Sequence, residues 1–374
     1  MDVRSVAHPL LPLLTPEDRS RQRTVVAMRR FLNTQVRPRN IARYEQEGAP
    51  AFAAEHGRSP QSPEDIREAF FKSRGYRLWS GANRAAQEMI WVSAGEPVMR
   101  EAARMEETAA ALIAAPGKRG ALHLDPHTEP SAEVAAIDIH LQPGGYALTR
   151  SARDVMAGAL YETGGNVFAF GQGLGKTDSK AGAIIAWLEG SHPAFKPTRI
   201  LDIGCSAGAA TAAYAAHYPD AEVHGGDIGA AMLRYAHARA EGLGVAVHFH
   251  QIDAHALPFP DGHFDLVVSH NLLHEIGREK RQAMIAEAAR VLAPGGFAIH
   301  QDVPTRFEPT LPRQVERAWD TWFNGEAFWS IYAGDDLCAD MAAAGFAEGR
   351  ILELKLAKKD GIGDWYVLVG EKPT

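Results

Sequence analysis

The sequence predicts an α/β protein, a seven-stranded, doubly wound and mostly parallel sheet, preceded by a mainly α-helical N-terminal domain. Three observations carry this. From Arg199 onward, strand-like and helix-like segments alternate regularly, as expected of a parallel sheet wrapped by helices. The run "FDLVVS" at 264–269 is almost wholly apolar, which suits burial on both faces. Residues 16–113 read as helices throughout. At 374 residues the chain exceeds what one core usually serves. The expected division is a helical cap with connecting loops over 1–150 and a sheet domain over 151–374, with an aromatic-rich helical insert at 303–333.

In order along the chain, Pro16-Glu17-Asp18 starts a helix with acids in its first turn. Ser62 caps the next, with Pro63 at the first helical position and Asp65 as the acid of a capping box. A further helix is expected over 96–115, stopped by Pro116-Gly117. Residues 116–150 are punctuated by Pro and Gly and read as a connecting region with little regular structure. Strands follow at 199–203, 222–226, 245–250, 264–269 and "FAIHQD". "RILELKLA" and "DWYVLVGEKP" close the sheet.

Composition narrows the function. Hydrophobic residues make up 46% and charged residues 23%, and the formal net charge is −7, so nucleic acid is not an expected partner. Two cysteines give no disulfide framework and no cysteine-rich zinc site, which fits a reducing, cytoplasmic setting. No signal peptide and no membrane span is read.

Two glycine-bearing stretches compete for a nucleotide. "FAFGQGLGKTD" (168–178) resembles a phosphate loop, but Gly171 and Gly175 are three residues apart where that loop needs four. It is expected to be a hinge between cap and sheet domain. "RILDIGCSAGAAT" (199–211) has what a nucleotide loop after a first parallel strand requires. Asp202 ends the strand, Gly204 permits a tight turn, Cys205 and Ser206 are small, and Gly208 allows close approach to the following helix. Asp227 then stands at the tip of the second strand, where an acid can accept from both ribose hydroxyls. A dehydrogenase loop would need a third glycine that is absent.

Together "LDIGCSAG", "GGDIGAAML", "QIDAHALPFPDGHFDLVVSHNLLHEI", "AARVLAPGGFAIHQD" and "AGF…WYVLVGEKP" resemble a class I S-adenosylmethionine-dependent methyltransferase, over about 178–374. The resemblance implies a Rossmann-like sheet with its last strand antiparallel, and S-adenosylmethionine as cofactor. It implies that Asp202, Gly204, Cys205, Ser206 and Gly208 line the methionine and ribose portion. Asp227 would hold the ribose hydroxyls, Ile228 the adenine face, Asp253 with Ala254 the adenine edge, and His270 the methionine portion. Many members carry Gly where this chain has Ser206.

The expected reaction is in-line methyl transfer to a small organic acceptor, with oxygen favoured over nitrogen, sulfur or carbon. The alternative is a non-catalytic protein that binds the cofactor or its product. In resembling two-domain O-methyltransferases a His at the step of His274 acts as general base; in other members a His here only caps or packs at a helix start. Asp302 is the second catalytic candidate, while His300, inside a strand, reads as a core residue. The acceptor wall is expected from Trp319, Trp322, Phe323 and Trp329 of the insert and from Tyr146, the plain alternative being that the aromatics pack on the N-terminal helices. No metal is expected from His123, Asp125, His127, Asp138 and His140: Pro126 breaks the helix that His123 and His127 would need to share a zinc-binding face. A homodimer is expected.

Overall fold

A computed structural model describes residues 7–117, 119–169, 179–358 and 364–373. Its centre is one sheet of β1 (Ala121–His123), β2 (Arg199–Ile203), β3 (Glu222–Asp227), β4 (His248–Gln251), β5 (Phe264–His270), β6 (Leu292–Asp302), β7 (Ile351–Ala357) and β8 (Asp364–Glu371). Their order is β1-β4-β3-β2-β5-β6-β8-β7. The pairs from β1 to β6 are parallel, and β8 runs antiparallel to both β6 and β7. The seven expected strands are there, with the last one antiparallel.

The eighth strand, β1, comes from the stretch expected to lack regular structure. Without it, β4 would present an open edge; "ALH" at 121–123 covers that edge, with His123 opposite His250. The strand is only three residues long, and the surrounding Pro and Gly hide it in the sequence.

Alternation along the strands builds two cores. Ile200, Val223, Leu266, Val268 and Ile299 face Ile184 and Tyr214, from the helices Ser179–Ser191 and Ala209–His217. Leu201, Ile203, Val267 and Leu368 face Met284, Ile285 and Met341, from the helices Arg278–Val291 and Leu337–Ala343. The chain leaves β2 toward β3 on one side and toward β5 on the other. The crevice at this reversal lies at the carboxyl ends of the parallel strands, where open α/β sheets bind ligands.

The helical part begins as expected. Thr15 and Asp18 form a capping box on the helix Pro16–Phe31, and Ser62 and Asp65 form another on Pro63–Lys72. The helix expected over 96–115 is broken differently. One long helix, Arg74–Arg100, runs through Pro97, and a second covers Ala102–Ala114. Pro97 has no N–H for the carbonyl of Ser93. Nε2 of Gln22, from the first helix, donates to that carbonyl instead at 3.1 Å.

The helix Met156–Phe168 locks cap to sheet domain. A Cβ on Gly164 would stand 2.3 Å from the ring of Trp91, so only glycine lets this helix lie on Arg74–Arg100. Its other side meets the helix Ala230–Leu243 through Leu160, Met232 and Tyr235. Most of "FAFGQGLGKTD", and with it the expected hinge, lies outside the described residues.

Candidate functional site

The loop after β2 turns on Gly204 and Gly208, with φ of 69° and 72°. The amides of Gly204 and Cys205 both donate to the carbonyl of Gly226 on β3, at 2.8 and 3.0 Å, which pins the loop beside the end of that strand. Ser206, where many members of the resembling family have glycine, is also left-handed, at φ 49°. Its amide donates to Asp227 Oδ2 at 2.9 Å, and the amide of Gly229 donates to Oδ1 at 2.9 Å. Asp227 is thus oriented by backbone groups and, as a carboxylate, keeps further acceptor capacity. Burial pushes its carboxyl above the usual range, against the pull of the Gly229, Ser206 and Ile228 amides.

Asp202 is buried and accepts from Thr211 Oγ1 at 2.6 Å. Cys205 is buried in the core of one sheet face. His270 is held by Tyr214 Oη and Gln301 Oε1, each at 3.2 Å. Asp202, the loop residues Gly204 to Ala207 and His270 line a small cleft with Tyr161 and Lys180. Ile228 borders a larger cavity of about 690 Å³, roofed by Leu124, Pro126, Thr128, Ala147 and Leu148 from the connecting region. Gln251 fixes that roof by donating to the carbonyls of Thr128 and Ile228, at 2.8 and 3.2 Å. Asp253 is partly exposed, with His255 Nδ1 2.5 Å from its Oδ1. Ala254 packs against the second sheet core. The loop borders the small cleft and Ile228 the larger cavity, and Asp227, bonded to the loop amide of Ser206, stands next to Ile228 in the chain.

The second cluster lies past the ends of β5 and β6. His274 is 1% exposed. Its Nδ1 is 2.5 Å from Asp302 Oδ1, and Asp302 Oδ2 accepts from the Leu273 amide at 2.8 Å. His274 Nε2 is 3.7 Å from Glu326 Oε2 and 3.9 Å from Glu275 Oε1. Burial pulls the imidazole down, but Asp302 and Glu326 outweigh it and push His274 up to about 10. Burial raises Glu275. Burial would raise Glu326 too, but His140 and His274 bring it below the usual range. His300 is buried against Ser269 Oγ at 2.9 Å and pushed down to about 4 by burial.

Sequence reasoning missed His140 and Glu326 as partners of His274. His140 Nδ1 is 2.7 Å from Glu326 Oε1. The carbonyl of His140 accepts from Gln87 Nε2 at 2.9 Å and Trp91 Nε1 at 2.6 Å. Gly325, at φ 72°, lets the insert approach this turn, since a Cβ there would be 2.3 Å from the carbonyl oxygen of Asp138. The signal in the sequence was a lone acid inside the aromatic run "FNGEAFW".

The four insert aromatics divide. Trp319 is buried in the helical core, its Nε1 donating to Ser80 Oγ at 2.8 Å. Phe323 lies 5.7 Å from Phe71, and Arg67 stands over Trp322 at 5.0 Å. These three pack on the N-terminal helices, the plainer of the two expectations. Trp329 instead meets the His274 ring edge-on at 4.8 Å. Tyr146 links both clusters: its ring is 6.5 Å from His140 and 5.1 Å from Tyr161, and it feels the charges of Glu275, Glu326 and Asp227.

Residues 200–296 match a family model described as a methyltransferase domain. The demethylmenaquinone methyltransferase of Thermus thermophilus is 39% identical over 109 residues, 29% of this chain and 48% of the relative. The malonyl-[acyl-carrier protein] O-methyltransferase of Halorhodospira halophila is 35% identical over 123 residues, 33% of this chain and 39% of the relative. The chain thus spans half or less of these relatives' length. The solved structure of Haemonchus contortus phosphoethanolamine N-methyltransferase 2, in complex with S-adenosylmethionine, is 15% identical, with a TM-score of 0.39 over 51% of this chain and 52% of that one. By its family model the central segment, residues 200–296, is a methyltransferase domain, carried on a parallel sheet that reverses at β2 and on a glycine loop that meets the acid at the end of β3.

Proposed function

We propose that the chain binds S-adenosylmethionine and transfers its methyl group to an oxygen of a small organic acceptor. The observation that carries the reading is the Asp227 carboxylate, fixed by the amides of Ser206 and Gly229 at the end of β3, with the next residue, Ile228, on the wall of a cavity of about 690 Å³. Asp227 would take the ribose hydroxyls, Ile228 an adenine face, with Asp253 and Ala254 at its edge. Asp202, Gly204, Cys205, Gly208 and His270 would border the methionine portion. The sulfonium of the cofactor supplies an excellent leaving group. The protein's share is to align the acceptor and exclude water.

Oxygen is favoured because a hydroxyl must lose its proton, and a buried acid–imidazole cluster stands beside the crevice to receive it. His274, held by Asp302 through Nδ1, orients the acceptor. Glu275 and Glu326 are the basic members of the cluster. Tyr146 and Trp329 would wall the acceptor. The cap over 1–150 would close the site above the catalytic domain at 151–374, with the insert at 303–333 between them.

Calorimetry with S-adenosylhomocysteine tests the reading. The wild-type chain should bind it, and Asp227→Ala should weaken binding about 10- to 100-fold, the worth of hydrogen bonds to a charged group. Binding of NAD or ATP in its place would overturn the proposal. A screen of small hydroxylated acceptors with a labelled methyl donor then reads transfer directly.

A further inference from the structure

We infer that His140, His274, Glu275 and Glu326 form a binding site for one divalent first-row transition-metal ion. Each offers one ligand atom, and these four atoms all lie within 4.8 Å of one another. An ion with four bonds of about 2.1 Å in a tetrahedron holds its ligand atoms roughly 3.4 Å apart, so the cluster needs to contract by at most about 1.4 Å, within reach of small side-chain rotations. Two imidazoles with two carboxylates suit zinc, iron(II), cobalt(II) or manganese(II) better than magnesium or calcium, which favour an all-oxygen shell.

A second observation points to a ligand. His274 Nε2 and both carboxylate oxygens of Glu326 make no hydrogen bond of good geometry, although each residue is only 1% exposed. Buried polar atoms left in this way call for an explanation, and an ion between them supplies one. The surroundings are those of a metal-ligating histidine: Nδ1 of His274 is held by the Asp302 carboxylate at 2.5 Å, which leaves Nε2 to ligate. His140 is fixed through its carbonyl by Gln87 and Trp91. Its backbone is left-handed at φ 53°, a conformation that persists only where the surroundings enforce it. Glu326 reaches it because Gly325 allows the close turn. The ligands thus come from three separate segments that the fold has to bring together.

A comparable group on the surface behaves differently. Glu55, His56 and Glu68 also lie close together but are exposed, and Lys72 Nζ already pairs with both acids, at 2.7 and 2.9 Å. With an ion in the buried cluster, an acceptor hydroxyl bound to it would lose its proton more readily. That consequence rests on the methyl-transfer reading above; the metal site itself does not.

The test uses the full chain, stripped with a chelator and titrated with cobalt(II), read by visible absorption and by metal content. One ion per chain is expected, displaced by zinc. Glu326→Gln and His140→Ala should each weaken cobalt binding at least about 100-fold, since the loss of outer partners alone costs roughly 10- to 100-fold. His56→Ala should bind as the wild type does. Circular dichroism confirms that each variant is folded, and His140→Gln replaces His140→Ala if that variant is not. Absence of cobalt binding, or unchanged binding in the folded Glu326 and His140 variants, overturns the site. S-adenosylhomocysteine binding is read in parallel: product binding without cobalt overturns the metal site alone, and cobalt binding without product overturns the methyl-transfer reading alone.

Discussion

Ser206 shows how far single positions can be read. The sequence marks it as the place where glycine is common in the family. The structure gives the reason: the loop is left-handed there, at φ 49°, which costs a residue with a side chain roughly 1–2 kcal/mol. Ser206→Gly should therefore raise stability by about 1 kcal/mol in urea unfolding, with the Asp227 contact kept because it uses the backbone amide. Asp202, Asp227 and Asp302 could be singled out in the sequence because each stands at a strand end. Glu326 and His140 were not read as partners of His274, because their meaning depends on segments 186 residues apart in sequence. Histidines elsewhere carry a different consequence. His224 and His250 contact each other at 2.9 Å between β3 and β4, near His123, His248, His263 and Glu222. Burial, with the neighbouring imidazoles, pushes His250 down to about 3. Burial also lowers His224, against the pull of Glu222. Below the unfolded value of about 6.5 the unfolded chain binds more protons at these positions, so stability should fall as pH drops from 6.5 toward 4. His274, raised when folded, loses its contribution only as pH rises from about 6.5 toward 10, and so stays constant in that window. Urea midpoints at pH 7, 6 and 5 should decline less steeply in His250→Gln than in the wild type.

Elements were legible where their chemistry is local. The two capping boxes, the apolar β5 and the alternation behind the sheet follow from neighbouring residues. β1 escaped because three residues carry no period, and only the open edge of β4 makes them a strand. The helix start expected at Glu96 was misplaced for a similar reason: a residue 71 positions from Ser93 repairs the carbonyl that Pro97 leaves unpaired, and the helix Arg74–Arg100 runs on. The helix Met156–Phe168 depends on a buried charge. Glu162 accepts from Tyr235 Oη at 2.8 Å, lies 3.1 Å from Arg239 Nε and meets His8 Nε2 at 3.1 Å. Burial would raise its carboxyl, but Arg239, His8 and Tyr235 together hold it below the usual range. Glu162→Gln leaves the Arg239 guanidinium buried without its counter-charge, and should cost about 3 kcal/mol. Thermal unfolding measures it, and a loss below about 1 kcal/mol would show that the carboxylate does not anchor this helix.

For the whole molecule, the doubly wound, mostly parallel sheet with its antiparallel last strand was legible, because regular alternation of strands and helices builds that architecture. The place of the cap was not, since its contacts are made by residues whose sequence reads only as apolar helix. No helix among the described residues is long and apolar enough to cross a membrane. Leu78, Met89, Val92 and Met99 are exposed on the helix Arg74–Arg100. Their spacings of 11, 3 and 7 residues place them on one stripe. We propose this stripe as the homodimer contact. Light scattering should find a dimer for the wild type and a monomer for Val92→Glu; a wild-type monomer at micromolar concentration would remove the stripe from consideration. The Gln22 side chain that mends the Pro97 gap has one further implication, for the order of assembly. Until the first helix docks, the longest helix carries an unpaired carbonyl one turn before a proline and is free to bend there. Docking of the first helix supplies the missing donor on the same helix that carries Gln87 and Trp91 to the His140 carbonyl. A chain synthesised without its first thirty or so residues would keep an intact sheet but a crooked strut, and its histidine cluster would assemble late or in the wrong register.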